Sequence, residues 1–166
     1  RGVIMGPIKH LFHHKKPVVL GGNRHTALVY TNSGQLLTGG TDTWHALEFE
    51  FEDHDDDNFH DLVTNISRLT VGSSVSFVKL TGQAGWAMGA GDNPARITRN
   101  GVHEPGLPTV SNEGGNNTTS NLYSSMIAVS PGDYFELEIF KSIDDITVAD
   151  PVQVTLSTWF SIEAIQ

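Results

Sequence analysis

Short runs of β-branched, aliphatic and aromatic residues alternate with turn residues along this chain, and no stretch keeps a helical period. The turns include Asn32-Ser33-Gly34, Ser130-Pro131-Gly132-Asp133 and Asn100-Gly101, in which both residues tolerate a positive φ. Many short strands separated by turns are typical of a β-sandwich or a barrel. The sequence therefore predicts an all-β fold, and its 166 residues fit one domain with a core.

We expect about ten antiparallel strands, arranged as two packed sheets. The clearest pattern is 44–52, where Leu47, Phe49 and Phe51 alternate with glutamates. This alternation predicts that the three apolar side chains face the core and the glutamates face solvent. The other predicted strands are 27–31, 66–71, 74–80, 83–88, 95–99, 122–129, 134–141 and 153–165, with breaks at Gly72 and Gly82 and a long exposed loop at 104–121.

Basic charge is concentrated at the start of the chain. The net charge is −9, yet five of the ten basic residues and no acidic residue lie in residues 1–25. A basic arm favours attachment to an acidic surface, whereas the acidic remainder repels phosphate and argues against nucleic-acid binding. We predict an extended arm, 1–24, that a partner orders, followed by a domain at 25–166. The candidate anchor residues are Lys9, His13, His14, Lys15, Lys16 and Arg24. Anchoring and simple solubilisation remain equal alternatives for this arm.

Several classes of protein lack support in the sequence. There is no cysteine, so neither a disulfide nor a thiolate site contributes. The apolar stretches are too short to cross a bilayer, and we expect no membrane association. No nucleophile elbow or phosphate-binding loop occurs, since the glycine-rich 85–91 lacks a lysine-serine ending. We therefore expect no enzymatic activity and no cofactor.

An acidic run extends from Glu52 to Asp57. Asp53, Asp55 and Asp57 offer carboxylate oxygens of the kind that calcium prefers, but their spacing does not match a helix-loop-helix calcium loop. His54 and His60 are potential ligands for a transition metal, although two loop histidines at this spacing often bind none. The sequence favours a solvated acidic loop and predicts no metal site.

Several segments, taken in order, resemble the globular head of complement C1q and the tumour-necrosis-factor (TNF) jelly roll, in the version carried by many bacteriophage structural proteins. The most specific are Trp44-x-Ala46-Leu47-x-Phe49, Asn65-x-Ser67-Arg68-Leu69-Thr70 and Ser130-Pro131-Gly132-Asp133-Tyr134-x-Glu136-Leu137, and the resemblance covers about 26–165. It implies a ten-stranded jelly roll that forms a three-fold trimer and serves in binding and assembly. Buried interfaces are enriched in aromatic residues. The candidate trimer-interface residues are Trp44, Tyr123, Tyr134, Phe140 and Trp159.

The resemblance and the arm together predict a bacteriophage structural protein. We expect a homotrimer at the virion surface, assembled in the host cytoplasm, whose arm attaches it to the major capsid protein or another virion protein. It would be a capsid decoration or head-fibre protein, because no collagen-like repeat or coiled coil precedes the domain.

Three alternatives remain open. The chain is a tail-fibre or receptor-binding tip if the loops 52–61 and 102–121 recognise a host surface glycan. A capsule depolymerase would need two carboxylates across a groove, whereas the acids here lie in one loop or on strand faces. A secreted cytokine-like trimer is disfavoured by the phage-type motifs and by the missing signal-peptide pattern.

Overall fold

Two antiparallel sheets, packed face to face, make up the architecture. The computed structural model describes residues 25–31, 34–38, 42–87, 94–111, 118–141, 146–148 and 158–165. Within these ranges there are thirteen strands and no helix, hence no helix long enough to cross a membrane. The strands are β1 (His25–Thr31), β2 (Gln35–Leu37), β3 (Thr43–Ala46), β4 (Phe51–Asp55), β5 (Arg68–Thr70), β6 (Phe77–Ala87), β7 (Ala95–Arg99), β8 (Thr109–Val110), β9 (Thr118–Tyr123), β10 (Ile127–Ala128), β11 (Tyr134–Lys141), β12 (Ile146–Val148) and β13 (Thr158–Ile165).

The larger sheet has eight strands in the order β2-β12-β6-β13-β1-β4, with β9 and β10 also paired to β6. Its first and last strands in the chain, β1 and β13, are neighbours near its centre. The smaller sheet has the order β3-β11-β7-β8, and β5 also pairs with β11. The predicted all-β sandwich is therefore confirmed, with more strands than the ten expected.

The core lies between the two sheets and follows the alternation of each strand. In β1, Ala27 and Val29 are buried, and in β13, Phe160 and Ile162 are buried, while the residues between them point outward. Removing such apolar surface from water contributes roughly 25 cal/mol per Å². The two inner faces interdigitate and leave each sheet one outward face.

Two predicted strand patterns are wrong. The predicted break at Gly82 does not occur, because β6 runs through it. A Cβ atom there would lie 3.3 Å from Phe160 of the neighbouring strand β13 and 3.4 Å from Leu137 of the opposite sheet, so glycine serves close side-chain packing in the core and not a turn. In 44–52, Phe49 is buried as expected, but Phe51 is 43% exposed. The chain changes sheets between β3 and β4, which reverses the side that faces the core.

The predicted loops also differ in part. The acidic run does not begin as a loop, because Glu52 to Asp55 lie on β4, paired with β1. The stretch 104–121 contains β8 and the first residues of β9, and Leu107 within it is buried. By contrast, the strands at 95–99 and 134–141 have the predicted bounds. The arm 1–24 and its six candidate anchor residues lie outside the described residues.

Candidate assembly surface

The outward side of the eight-stranded sheet carries exposed or half-buried apolar side chains, and we call it the aromatic face. Its apolar members are Leu28, Tyr30, Phe51, Phe77, Tyr123, Trp159 and Ile165. Tyr123 is 66% exposed, which is unusual for a large ring on a regular strand. Together these side chains leave a broad apolar surface in contact with water.

Strand register aligns these side chains in rows across the sheet. In one row, Tyr30 lies opposite both Phe51 and Trp159, and the Tyr30 and Phe51 rings stack with centroids 5.4 Å apart. In the next row, Leu28 and Tyr123 flank two hydroxyl residues. A hollow of about 590 Å³ lies between the rows, lined by Leu28, Tyr30, Asp53, Thr81, Trp159 and Ser161.

One part of the aromatic face is charged. Glu163 of β13 lies directly opposite Lys79 of β6, and Thr26 follows in the same row. In the part of the chain that the structure describes, neither Lys79 nor Glu163 forms an ion pair. A cavity of about 200 Å³ lies here, lined by Thr26, His54, Lys79, Thr81, Ser161 and Glu163. The face thus presents a cation and an anion side by side.

The outward side of the five-stranded sheet has a different chemistry, and we call it the ladder face. Its members are Trp44, Arg68, Arg96, Tyr134, Glu136, Glu138 and Phe140. The Arg96 guanidinium lies 3.9 Å from the centre of the Trp44 ring and donates to Glu138 at 2.7 Å.

The same arrangement recurs at the other end of the ladder face. Arg68 lies 4.0 Å from the centre of the Tyr134 ring and donates to Glu136 at 3.0 Å. Guanidinium groups thus cover two aromatic rings and pair with the two nearly buried carboxylates. The arginines, carboxylates and aromatic rings of the ladder face thus contact one another within a single protomer.

The five candidate interface residues are divided between these two faces. Tyr123 and Trp159 lie on the aromatic face, whereas Trp44, Tyr134 and Phe140 lie on the ladder face. Opposite sides of one sandwich do not form a single surface. The sequence did not single out Leu28, Tyr30, Phe51, Phe77 and Ile165 as interface residues, although the alternation within 27–31 and 158–165 carries the signal for Leu28, Tyr30 and Ile165.

The candidate calcium ligands have separate partners. Asp55 accepts hydrogen bonds from the backbone N–H groups of Phe59 and His60, both at 2.9 Å. Asp57 pairs with His25 at 2.5 Å, and Asp53 contacts the neighbouring histidine. Among the described residues, no three metal-binding side chains converge. The acidic run therefore serves to fix the loop and the start of β1.

The two candidate histidines are also engaged by protein groups. His60 is buried, with Nδ1 at 3.0 Å from a Glu52 oxygen and Nε2 at 3.0 Å from the Ile66 carbonyl oxygen. Both ring nitrogens are occupied, so neither is available to a metal. His54 contacts Asp53 at 3.1 Å through its Nδ1 atom.

A tight turn follows the acidic run. Asp61 accepts from the backbone N–H groups of Val63 at 2.8 Å and Thr64 at 3.1 Å. These hydrogen bonds, chiefly that from Val63, hold the pKa of Asp61 below its usual value. Val63 at the tip is 90% exposed. This turn lies between β4 and β5, outside the strands that carry the aromatic face.

Comparison with known proteins identifies the fold. No protein-family model matches the chain, and no curated protein matches its sequence. The crystal structure of murine APRIL at pH 5.0 matches with a TM-score of 0.60 and 7% identity, covering 86% of this chain and 99% of that one. Eiger TNF from S. frugiperda matches with a TM-score of 0.53 and 11% identity, covering 86% and 93%. The fold is a TNF-like jelly roll.

Murine APRIL at pH 8.5 also matches, with a TM-score of 0.57 and 8% identity over 84% of this chain and 99% of that one. At sequence identities this low, the matches show a shared fold and nothing more. They confirm the jelly-roll part of the sequence resemblance, whereas a bacteriophage origin stays a prediction. In this TNF-like jelly roll, the aromatic face belongs to the sheet that holds the first and last strands.

Proposed function

We propose that this chain is a non-enzymatic structural and binding module whose protomers form a homotrimer through the aromatic face. The supporting observation is the contrast between the two outward faces, since the aromatic face is exposed and the ladder face is internally paired. Contiguous exposed apolar surface is typical of interaction sites. A second copy is the partner that fits best, because Lys79 and Glu163 make the face self-complementary in charge.

At the level of the particle, we propose a capsid decoration or head-fibre protein on a bacteriophage virion. Its arm would bind the major capsid protein or another virion protein after assembly in the host cytoplasm. The ordered motif resemblance and the basic charge of residues 1–25 support this proposal. Since His25 at the start of β1 pairs with Asp57, the arm joins the domain beside the acidic run.

The trimer is tested by measuring molar mass with light scattering for three proteins. We expect the wild type to be a trimer, Tyr123→Asp to be a folded monomer, and Val63→Asp to remain a trimer. Both substitutions place a carboxylate at an exposed apolar position, but only Tyr123 lies on the aromatic face. A monomeric wild type would contradict the trimer, and a trimeric Tyr123→Asp would place the contact elsewhere.

The arm is tested by deleting residues 1–24. We expect the deleted protein to remain a folded trimer and to lose binding to virions that lack this protein. The same assay with the arm fused to an unrelated carrier is the positive control. Dissociation of the trimer on deletion would show that the arm is part of the core, contrary to the anchor.

A glycan-binding role is the second candidate, because the hollow on the aromatic face combines Tyr30 and Trp159 with Asp53 and two hydroxyls. Aromatic faces and carboxylates are suited to sugar rings and their hydroxyl groups. Trimerisation would cover this hollow, so the two candidates make opposite predictions for it. Saturable binding of a bacterial surface glycan that Trp159→Ala abolishes, in a monomeric protein, would favour this candidate. Release of reducing ends from a polysaccharide would overturn the non-enzymatic proposal.

A further inference from the structure

Asn100-Gly101, the one Asn-Gly pair in the sequence, forms an exposed two-residue turn after β7. Both residues have a positive φ, 52° and 74°, and Arg99 and Val102 exchange backbone hydrogen bonds of 2.9 Å across the turn. In an Asn-Gly pair, the glycine has no side chain to hinder its backbone nitrogen. That nitrogen can therefore attack the preceding carboxamide, which is the first step of deamidation.

The carboxamide of Asn100 is held at both ends by the turn that precedes β11. Its Nδ2 donates to Asp133 Oδ1 at 2.8 Å, and its Oδ1 accepts from the Tyr134 backbone N–H at 3.0 Å. Asp133 is itself fixed by the Arg99 guanidinium and by the Ser130 N–H, the latter at 2.7 Å. The carboxamide carbon is thus kept in one orientation.

Asp133 is a reliable acceptor for this contact. Burial raises the pKa of Asp133, but hydrogen bonds from Arg99, Ser130 and Asn100 together outweigh burial and hold that pKa below its usual value. Asp133 is therefore a carboxylate at neutral pH. A second carboxylate at position 100 would face it at hydrogen-bond distance.

We propose that Asn100 is a site of spontaneous deamidation, and that its hydrogen bonds to Asp133 and Tyr134 set the rate. The Gly101 nitrogen loses its proton and attacks Cγ of Asn100. The Cγ–Nδ2 bond then breaks, and ammonia leaves with that proton. Water opens the resulting succinimide at either carbonyl, which leaves aspartate or isoaspartate at position 100. The attack needs Cγ to move toward the Gly101 nitrogen, so both side-chain hydrogen bonds must open first.

The product weakens the same turn. Aspartate at position 100 offers no amide donor to Asp133 and adds a like charge beside it. Isoaspartate also adds one methylene to the backbone of a two-residue turn. Deamidation therefore loosens the contact between the end of β7 and the start of β11, irreversibly and independently of the proposed function.

The full-length protein is tested without mutation by incubation at mildly alkaline pH, in buffer and in urea. Peptide mapping by mass spectrometry measures aspartate and isoaspartate at position 100, and hydrogen exchange measures the opening of the Tyr134 amide. We expect fast modification in urea and slow modification in the native protein. The ratio of the deamidation rate in urea to that in the native protein should match the hydrogen-exchange protection factor of the Tyr134 amide within a small factor. Equal rates in both conditions, or no modification in urea, would overturn the proposal.

Two variants separate local from global opening. Asp133→Ala removes the carboxylate beside Asn100, whereas Asp55→Ala removes a carboxylate that caps a different loop. We expect Asp133→Ala to speed native-state deamidation several-fold and Asp55→Ala to leave it unchanged. Equal acceleration by both variants would show that global unfolding sets the rate, contrary to the proposal.

Discussion

At the scale of single residues, two positions in this jelly roll depend on atoms that are distant in the sequence. Gly82 is required by Phe160 of the neighbouring strand and Leu137 of the opposite sheet, and Asp133 by the Asn100-Gly101 turn, which lies more than thirty residues earlier in the chain. Neither requirement is visible in the local sequence, where Gly82 resembles a strand break. The consequences of each are measurable.

Replacing Gly82 with valine should lower the free energy of unfolding by about 1–3 kcal/mol, because added atoms must displace Phe160 or Leu137. The measurement is chemical unfolding at neutral pH. Gly72→Ala is the control, since nothing lies within 4 Å of a Cβ atom there, and we expect a change within about 0.5 kcal/mol. Equal effects at both positions would contradict the close side-chain packing around Gly82.

Asp133 should make stability depend on pH. Because the folded-state pKa is depressed, its contribution is present above the unfolded pKa and is lost as pH falls through the folded value. At neutral pH, we expect Asp133→Asn to cost about 1.5–3 kcal/mol relative to wild type. The difference should shrink below about pH 4, near the ordinary aspartate pKa. Chemical unfolding from neutral to acidic pH measures it, with Asp53→Asn as the exposed control. A difference that did not vary with pH would exclude the charge of Asp133 as its cause.

At the scale of strands and sheets, the two outward faces differ in how their groups are paired. On the ladder face, β11 alternates core residues with carboxylates that meet arginines from β5 and β7. On the aromatic face, apolar side chains such as Tyr123 and Phe51 remain exposed. We infer that one face stabilises the protomer and the other serves assembly.

Trp44→Ala should therefore lower protomer stability without changing the oligomeric state. It removes the ring beneath Arg96 and the contact with Phe140, whose ring centre lies 5.2 Å away. We expect a loss of about 1–3 kcal/mol in thermal or chemical unfolding, from the stacking and the buried apolar area together. Trp159→Ala is the matched change on the aromatic face and should shift the trimer-monomer equilibrium instead. Dissociation of the trimer by Trp44→Ala would show that the ladder face is an interface.

The strand at 95–99 and the Asn100-Gly101 turn were predictable, because local alternation and turn chemistry determine them. The role of Phe51 was not, since alternation shows which residues share a side but not where the chain changes sheets. Trp44 and Trp159 show the same limit of local sequence at the candidate site. Both are aromatic strand residues, yet Arg96 covers only the first, and that contact comes from a distant strand.

At the scale of the whole molecule, the proposed trimer buries a charged row as well as an apolar one. Lys79→Glu places two carboxylates side by side on the aromatic face, since Glu163 lies directly opposite. We expect the trimer to weaken by at least about tenfold per interface, equivalent to 1.4 kcal/mol. The double exchange Lys79→Glu with Glu163→Lys should restore it. Sedimentation equilibrium measures the association constants, and an unchanged constant for Lys79→Glu would contradict burial of this row.

The pairing of the first and last strands also determines the direction in which the domain presents anything attached to it. His25 lies opposite Ala164, and Thr31 lies opposite Thr158 at the other end of the same strand pair. A cargo protein fused directly behind β13 would therefore begin at the same end of this strand pair as β1, where the basic arm joins the domain. On a particle held by that arm, such a cargo would crowd the particle surface. A peptide meant for display belongs at the opposite end of the strand pair, in the segment that follows Thr31.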